Sequence, residues 1–252
     1  MKRIALITGA TSGFGEAIAR RLAAEQYDLI LTGRRQERLE ALKTELETNG
    51  DTQVLTLCFD VRSYEEVEKN LAHLPGEWKQ VYALINNAGL AVGLAPIHQG
   101  NVDDWERMID TNVKGLLYVT RMISPGMAER CSGHIINIGS IAGREVYPNG
   151  NVYCATKHAV RALSQAMRLE LVPYGIRTTL IAPGAADTEF SLVRFKGDSQ
   201  RADSVYQGFE PLTAQDIADT VSYVLSAPEH VDLQDILIMP AAQASATVFH
   251  KE

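Results

Sequence analysis

Ile4-Ala5-Leu6-Ile7-Thr8-Gly9-Ala10-Thr11-Ser12-Gly13-Phe14-Gly15 stands near the start of the chain, and its reading decides the fold. The first five residues form a short apolar run, the pattern of a strand buried on both faces. Gly9 follows at once, and Gly13 and Gly15 lead into helical spacing over 13–26. In a strand, glycine turn and helix of this kind, backbone N–H groups at the helix N-terminus can cradle a pyrophosphate. The glycines permit the tight turn and the close approach of the ligand. Gly9, Thr11, Ser12, Gly13, Phe14 and Gly15 are therefore candidate cofactor residues; the competing reading is a tight turn with no ligand.

The alternation repeats down the chain. Short apolar runs fall at 28–32, 53–58, 81–86, 133–138, 177–182 and 236–239. Helical spacing falls at 35–49, 63–74, 102–111, 113–130, 152–171 and 213–226. Strands apolar on both faces and separated by helices make a buried parallel sheet. Right-handed crossovers then lay helices on both sides of it. The expected fold is one α/β domain over 1–252, a Rossmann-like, doubly wound parallel sheet of about seven strands. Two stretches stand apart. Residues 187–210 are polar and lack a clear period, and long inserts of this kind are often lids over a site. Residues 240–252 form a tail without a strong period, expected to reach across a neighbouring subunit or to fray.

Composition removes several function classes. The chain has 252 residues, 46% hydrophobic and 22% charged, an ordinary globular balance with enough chain for a large core. A net charge of −7 argues against nonspecific nucleic-acid binding, which needs a basic face. The three cysteines, Cys58, Cys131 and Cys154, are scattered, and no His/Cys cluster suggests a metal. No apolar run reaches ~18 residues and Met1 leads straight into a strand pattern, so a cytoplasmic protein without a membrane partner is expected.

The end of the second strand selects the dinucleotide. A site for NAD usually places an acid there to accept from the ribose 2′-hydroxyl. Here the residues are Leu31-Thr32-Gly33-Arg34-Arg35, with no acid and two arginines. A guanidinium offers planar donors and a fixed charge to a 2′-phosphate, so NADP(H) is expected. The alternative is that Arg34 and Arg35 only begin an exposed helix.

Tyr153 and Lys157 stand four apart, on one face of the helix expected over 152–171. A free phenol has a pKa near ~10. A nearby ammonium and the positive ring of an oxidised nicotinamide favour the phenolate, so the pair suits proton exchange with an alcohol oxygen. The spacing alone is weak; its company carries the weight. Asn86-Asn87-Ala88-Gly89 closes the fourth strand, and Asn112 sits at a helix junction in Thr111-Asn112-Val113-Lys114-Gly115. Ser140 closes the fifth strand and Pro183-Gly184 the sixth. Open α/β sheets bind ligands at these strand ends.

With the TGxxxGxG spacing of the first turn, these motifs resemble the short-chain dehydrogenase/reductase family over nearly the whole chain. The resemblance implies roles. Tyr153 would exchange a proton with the substrate oxygen, and Ser140 would hydrogen-bond that oxygen. Lys157 would hold the nicotinamide ribose and lower the Tyr153 pKa, and Asn112 would support a water chain to Lys157. Asp60 and Val61 resemble the adenine-contacting pair. Asn87, Ala88 and Gly89 would line the cofactor cleft, and Pro183, Gly184 and Thr188 would flank the carboxamide. Family members are usually tetramers built through two long helices, here 113–130 and 152–171, so a homotetramer is implied.

The substrate is read from fewer residues. Arg144 and Arg194 lie in segments that should flank the pocket, and either could clamp a carboxylate or sulfonate. The alternative for each is a surface or intersubunit ion pair. Tyr147 precedes the catalytic helix and could touch substrate. The stretch TEFSLVRFKGD, with GNVYCATK and MPAAQAS, resembles the NADP-dependent 3-hydroxy acid (serine or allo-threonine) dehydrogenase branch. That branch implies serine, 3-hydroxypropionate or malonic semialdehyde as substrate. A similar group reduces sulfoacetaldehyde, and residues alone do not separate the two anions. A broad reductase of neutral ketones or dicarbonyls, and a non-catalytic dinucleotide-binding regulator, stay open as alternatives.

Overall fold

The opening apolar run forms strand β1 (Ile4–Thr8), and all five of its residues are buried. The computed structural model describes residues 2–252, apart from the side chains of 202–204. The other strands are β2 (Asp28–Gly33), β3 (Val54–Cys58), β4 (Val81–Asn86), β5 (Gly133–Ile138), β6 (Ile176–Pro183) and β7 (Asp235–Ile238). They make one sheet in the order β3-β2-β1-β4-β5-β6-β7, with every pairing parallel. The helices are α1 (Gly13–Ala24), α2 (Gln36–Asn49), α3 (Tyr64–Leu71), α4 (Val102–Ile109), α5 (Leu116–Arg130), α6 (Asn151–Leu171), α7 (Glu189–Arg194), α8 (Ser199–Ser204) and α9 (Ala214–Ser226).

The two-residue period of a strand divides the core. Ala5 and Ile7 of β1 face one side, where Ile18 of α1, Leu39 of α2 and Val221 of α9 cover them. Ile4 and Leu6 face the other, against Val67 of α3, Val119 of α5 and Val160 of α6. Each large aliphatic side chain so buried contributes about 1.5–3 kcal/mol. The doubly wound domain expected from the sequence is the domain observed. After β3 the chain returns to the far side of β1, so the strand order reverses between β1 and β4. Loops from the strand C-terminal ends diverge there and open a crevice.

Three segments differ from their sequence patterns. The break expected at Asn112 is instead a π-helical stretch, Asp110–Gly115, that joins α4 to α5. The segment 187–210 is not wholly irregular: it carries α7 and α8, each of six residues, too short to show a helical period. The tail, 240–252, packs on its own chain, with an antiparallel bridge between Gln243 and Phe249. The Glu252 N–H donates to the Gly208 carbonyl at 2.9 Å, and the Phe249 and Phe209 rings lie 5.0 Å apart.

Candidate active site

The reversal between β1 and β4 is stitched by two polar side chains. Thr8 Oγ1 accepts from the N–H groups of Asn87 and Ala88 at 3.0 and 2.9 Å. Asn87 Nδ2 donates back to the Thr8 carbonyl at 2.9 Å. These bonds fix the first turn against the end of β4. Gly9 and Gly13 adopt left-handed φ values of 68° and 54°, a region that favours glycine. Gly15 serves differently from its sequence reading. It does not line the cleft; a Cβ there would lie 2.3 Å from the Gly9 carbonyl oxygen, so it lets α1 pack against the turn.

The crevice is a cleft of about 560 Å³. Gly33, Arg34, Arg35, Asp60 and Val61 line it at the β2–β3 side, and Gly9, Thr11, Ser12, Gly13 and Phe14 in the middle. Asn87, Ala88 and Gly89 continue the wall to Ser140, Tyr147, Tyr153, Lys157, Pro183, Gly184, Thr188 and Arg194. The walls fit an elongated dinucleotide. The turn offers bare backbone, and a Cβ on Gly89 would approach Asn112 Oδ1 to 3.3 Å and Lys157 Nζ to 3.6 Å.

Tyr153 and Lys157 share a face of α6 and are both buried. The Lys157 ammonium donates to the Ile138 carbonyl at 2.9 Å and lies 6.0 Å from the Tyr153 ring centroid. Burial pushes the Lys157 pKa down to about 8. Burial also raises the Tyr153 phenol, as does Tyr147, while a hydrogen bond with Ser140 and the charge of Arg194 act against that rise. The phenol is therefore protonated at neutral pH. Ser140 caps the turn Ile141–Gly143, its Oγ accepting from the Ala142 N–H at 3.1 Å.

Asn112 stands behind the cleft wall rather than in it. Its amide pairs with both backbone groups of Leu90, each bond 2.8 Å, as a second peptide unit would. Its Nδ2 also donates to Thr156 Oγ1 at 3.0 Å, and Thr156 donates to the Tyr153 carbonyl at 2.8 Å. The wider π turn thus ties the β4 loop to the helix that carries Tyr153.

The two candidate arginines part company. Arg194, at the end of α7, donates to the Tyr147 hydroxyl at 2.9 Å. Its guanidinium carbon is 5.4 Å from the Tyr147 ring centroid and 5.8 Å from that of Tyr153. Its Nε is buried with no hydrogen-bond partner among the described residues. The Gly93 N–H donates to the Arg194 carbonyl at 3.1 Å, and Lys196 pairs with Asp104 at 2.7 Å, anchoring this segment. Arg144 corrects its sequence reading. The turn after Ser140 directs it to the sheet edge, where it pairs with Asp235 of β7, and it does not line the cleft.

The short chain dehydrogenase family model matches residues 3–198. The chain belongs to the short-chain dehydrogenase family. It is 50% identical over 244 residues to the NADP-dependent 3-hydroxy acid dehydrogenase YdfG of Salmonella typhi, covering 96% of this chain and 97% of that one. It is 44% identical over 241 residues to the serine 3-dehydrogenase of Rhizobium radiobacter, covering 96% and 95%. Among solved structures, a closed form of serine dehydrogenase complexed with NADP⁺ matches with a TM-score of 0.92 at 48% identity, covering 99% and 100%.

This short-chain dehydrogenase also recruits residues that sequence reasoning missed. Tyr206, Gln243 and Phe249 line the same cleft. The Tyr206 hydroxyl donates to the Ala186 carbonyl at 2.7 Å, and Gln243 Oε1 accepts from the Ala185 N–H at 2.7 Å. None carries a local signal, because each reaches the site through a contact tens of residues away. Thr188 did carry one: its hydroxyl caps α7 by accepting from the Phe190 N–H, ahead of Glu189 in the first turn.

The depressed Lys157 pKa has a stability consequence. Between about 8 in the fold and 10.5 unfolded, the unfolded chain holds a proton that the fold has released, so stability rises with pH across that window. Lys157→Met removes the titration. From pH 8 to 10.5 wild type should gain on the order of 2–3 kcal/mol relative to Lys157→Met, measured by urea unfolding. Parallel stability curves would mean that burial leaves this ammonium unperturbed.

Proposed function

We propose that this short-chain dehydrogenase transfers a hydride between NADP(H) and the hydroxyl-bearing carbon of a short 3-hydroxy acid. The observation that carries the reading is Arg194, held over Tyr147 and Tyr153 with a buried donor to spare. An anion clamped there places its third carbon beside the Tyr153 hydroxyl, and charge-assisted pairing fixes its orientation. The names of the relatives support the same class.

The nicotinamide, when bound, supplies or accepts the hydride. Tyr153 gives a proton to the carbonyl oxygen in reduction and takes one from the alcohol in oxidation. Ser140 hydrogen-bonds that oxygen. Lys157 holds the nicotinamide ribose, and Asn112, pinned to Leu90, supports the ordered wall behind it. Pro183, Gly184 and Thr188 flank the carboxamide. Asp60 and Val61 take the adenine, and Arg34 and Arg35 the 2′-phosphate. Segment 187–210 acts as the substrate lid, with 240–252 packed against it.

We assign the active form as a homotetramer. The stripe of Ala155, Ala159, Ala162 and Ala166 faces away from the core of its own chain, and Leu169 of the same helix and Leu117 of α5 are exposed. The cytoplasm, with its nicotinamide pool and reducing conditions for the exposed Cys58 and Cys131, is the compartment this chemistry calls for.

A panel of initial rates tests the reading. L-Serine and 3-hydroxypropionate with NADP⁺ should give the highest kcat/KM. Faster turnover of isethionate would reassign the anion to a sulfonate and the reaction to sulfoacetaldehyde reduction. Faster reduction of neutral diketones with NADPH would remove the anion clamp from the account. No turnover of any substrate would leave a dinucleotide-binding regulator.

A further inference from the structure

The end of β2 lacks the acid that would mark a 2′-hydroxyl site, yet an acid reaches that end from elsewhere. Glu189, the first residue of α7, sends its carboxylate between two arginines of the β2–α2 corner. Oε2 accepts from Arg35 at 3.0 Å and Oε1 from Arg38 at 2.8 Å. Arg35 is otherwise held on the first turn, donating to Thr11 Oγ1 at 2.9 Å and to Ser12 Oγ at 2.7 Å. Arg34, the other cation of the corner, sits 3.7 Å from Asp60. Arg35 and Glu189 both line the cleft, whereas Arg38 does not. The two guanidinia, Arg38 first, hold the Glu189 carboxyl below the ordinary carboxylate range, so it is an anion at neutral pH.

We propose that Glu189 is a cofactor-specificity residue: its carboxylate competes with a 2′-phosphate for Arg35 and so weakens the phosphorylated dinucleotide alone. The inference rests on the reading of Arg35 as the 2′-phosphate residue. Two anions cannot share one guanidinium edge without repulsion, and Arg38 gives the carboxylate a second partner to which it can withdraw. A 2′-hydroxyl carries no charge for Glu189 to repel and can donate to its carboxylate, so loss of that charge does not tighten the unphosphorylated dinucleotide. The same six-residue helix begins at Glu189 and ends in Arg194, so one short stretch of chain joins the adenosine corner to the substrate clamp.

Binding measurements on the full chain test this. NADP⁺, NAD⁺ and adenosine 2′,5′-bisphosphate are titrated against wild type, Glu189→Gln, Arg35→Ala and the double variant at low ionic strength. Glu189→Gln keeps the side-chain shape and removes its charge. It should bind NADP⁺ and the bisphosphate about two- to fivefold more tightly, the range of an exposed ion pair, with no tightening of NAD⁺. The gain should vanish in the Arg35→Ala background. If Arg35→Ala weakens NADP⁺ and not NAD⁺ while Glu189→Gln leaves NADP⁺ unchanged or weaker, the proposal is overturned and the phosphate site stands. If Arg35→Ala is not selective, the reading of Arg35 falls, and the proposal with it.

Discussion

Tyr153→Phe is expected to lower kcat by about 10²–10⁴-fold, the range for loss of a positioned acid or base, and to leave cofactor binding nearly intact. The variant keeps the ring, which packs with Phe190 at 5.7 Å between centroids, and so keeps the buried cluster around it. Only the hydroxyl is lost. Burial and Tyr147 hold the phenol above its ordinary pKa, so the proton that reduction needs is present at neutral pH. Oxidation needs the phenolate, which rising pH supplies. Wild-type oxidation should therefore accelerate from neutral into alkaline pH, and the Tyr153→Phe variant should lose that acceleration. Initial rates between pH 7 and 10, with NADPH binding followed by fluorescence, check both parts. A variant retaining more than about a tenth of wild-type kcat would remove Tyr153 from the acid/base role.

Arg194→Ala is expected to raise KM for a 3-hydroxy acid by about 10- to 100-fold. A hydrogen bond to a charged group contributes roughly 1.5–3 kcal/mol, and 1.4 kcal/mol is tenfold. A neutral alcohol or ketone should show little change. Arg194→Lys should recover only part of the loss, because an ammonium cannot present two parallel donors to a carboxylate. Tyr147 loses its partner in the Ala variant, so Tyr147→Phe is the control; it should cost much less than loss of the guanidinium. Equal losses for anionic and neutral substrates would show that Arg194 orders the segment and does not clamp an anion.

What could be read from the sequence follows from the range of each interaction. The strands were legible because a strand buried on both faces is a short continuous apolar run, a local pattern; that β1 divides its residues between two cores shows only in the fold. The first turn was legible because glycine at a left-handed φ leaves a direct mark in the sequence. Asn112 was placed at a junction, but a π turn and a broken helix offer the same letters. Only the bonds to Leu90, twenty-two residues away, distinguish them. Arg144 and Arg194 looked alike as cations in flanking loops. Their fates depend on Asp235, ninety-one residues from Arg144, and on Tyr147, forty-seven from Arg194. The Glu189 pairing with Arg35 spans one hundred and fifty-four residues and left no pattern. Local patterning therefore marks the sheet and the helix that carries Tyr153, while the pairings of Arg194 with Tyr147 and of Arg35 with Glu189 join segments that only the fold brings together.

The central claim is direct hydride transfer between NADP(H) and a hydroxy acid in this cleft, and one labelling measurement reaches it most directly. The enzyme is incubated with NADP⁺ and 3-hydroxypropionate deuterated at its third carbon, and the reduced cofactor is examined by proton NMR. The account predicts deuterium at C4 of the nicotinamide, on a single face, with the rate lowered relative to unlabelled substrate. Reduced cofactor without deuterium, or none formed while wild-type protein binds NADP⁺, would contradict it.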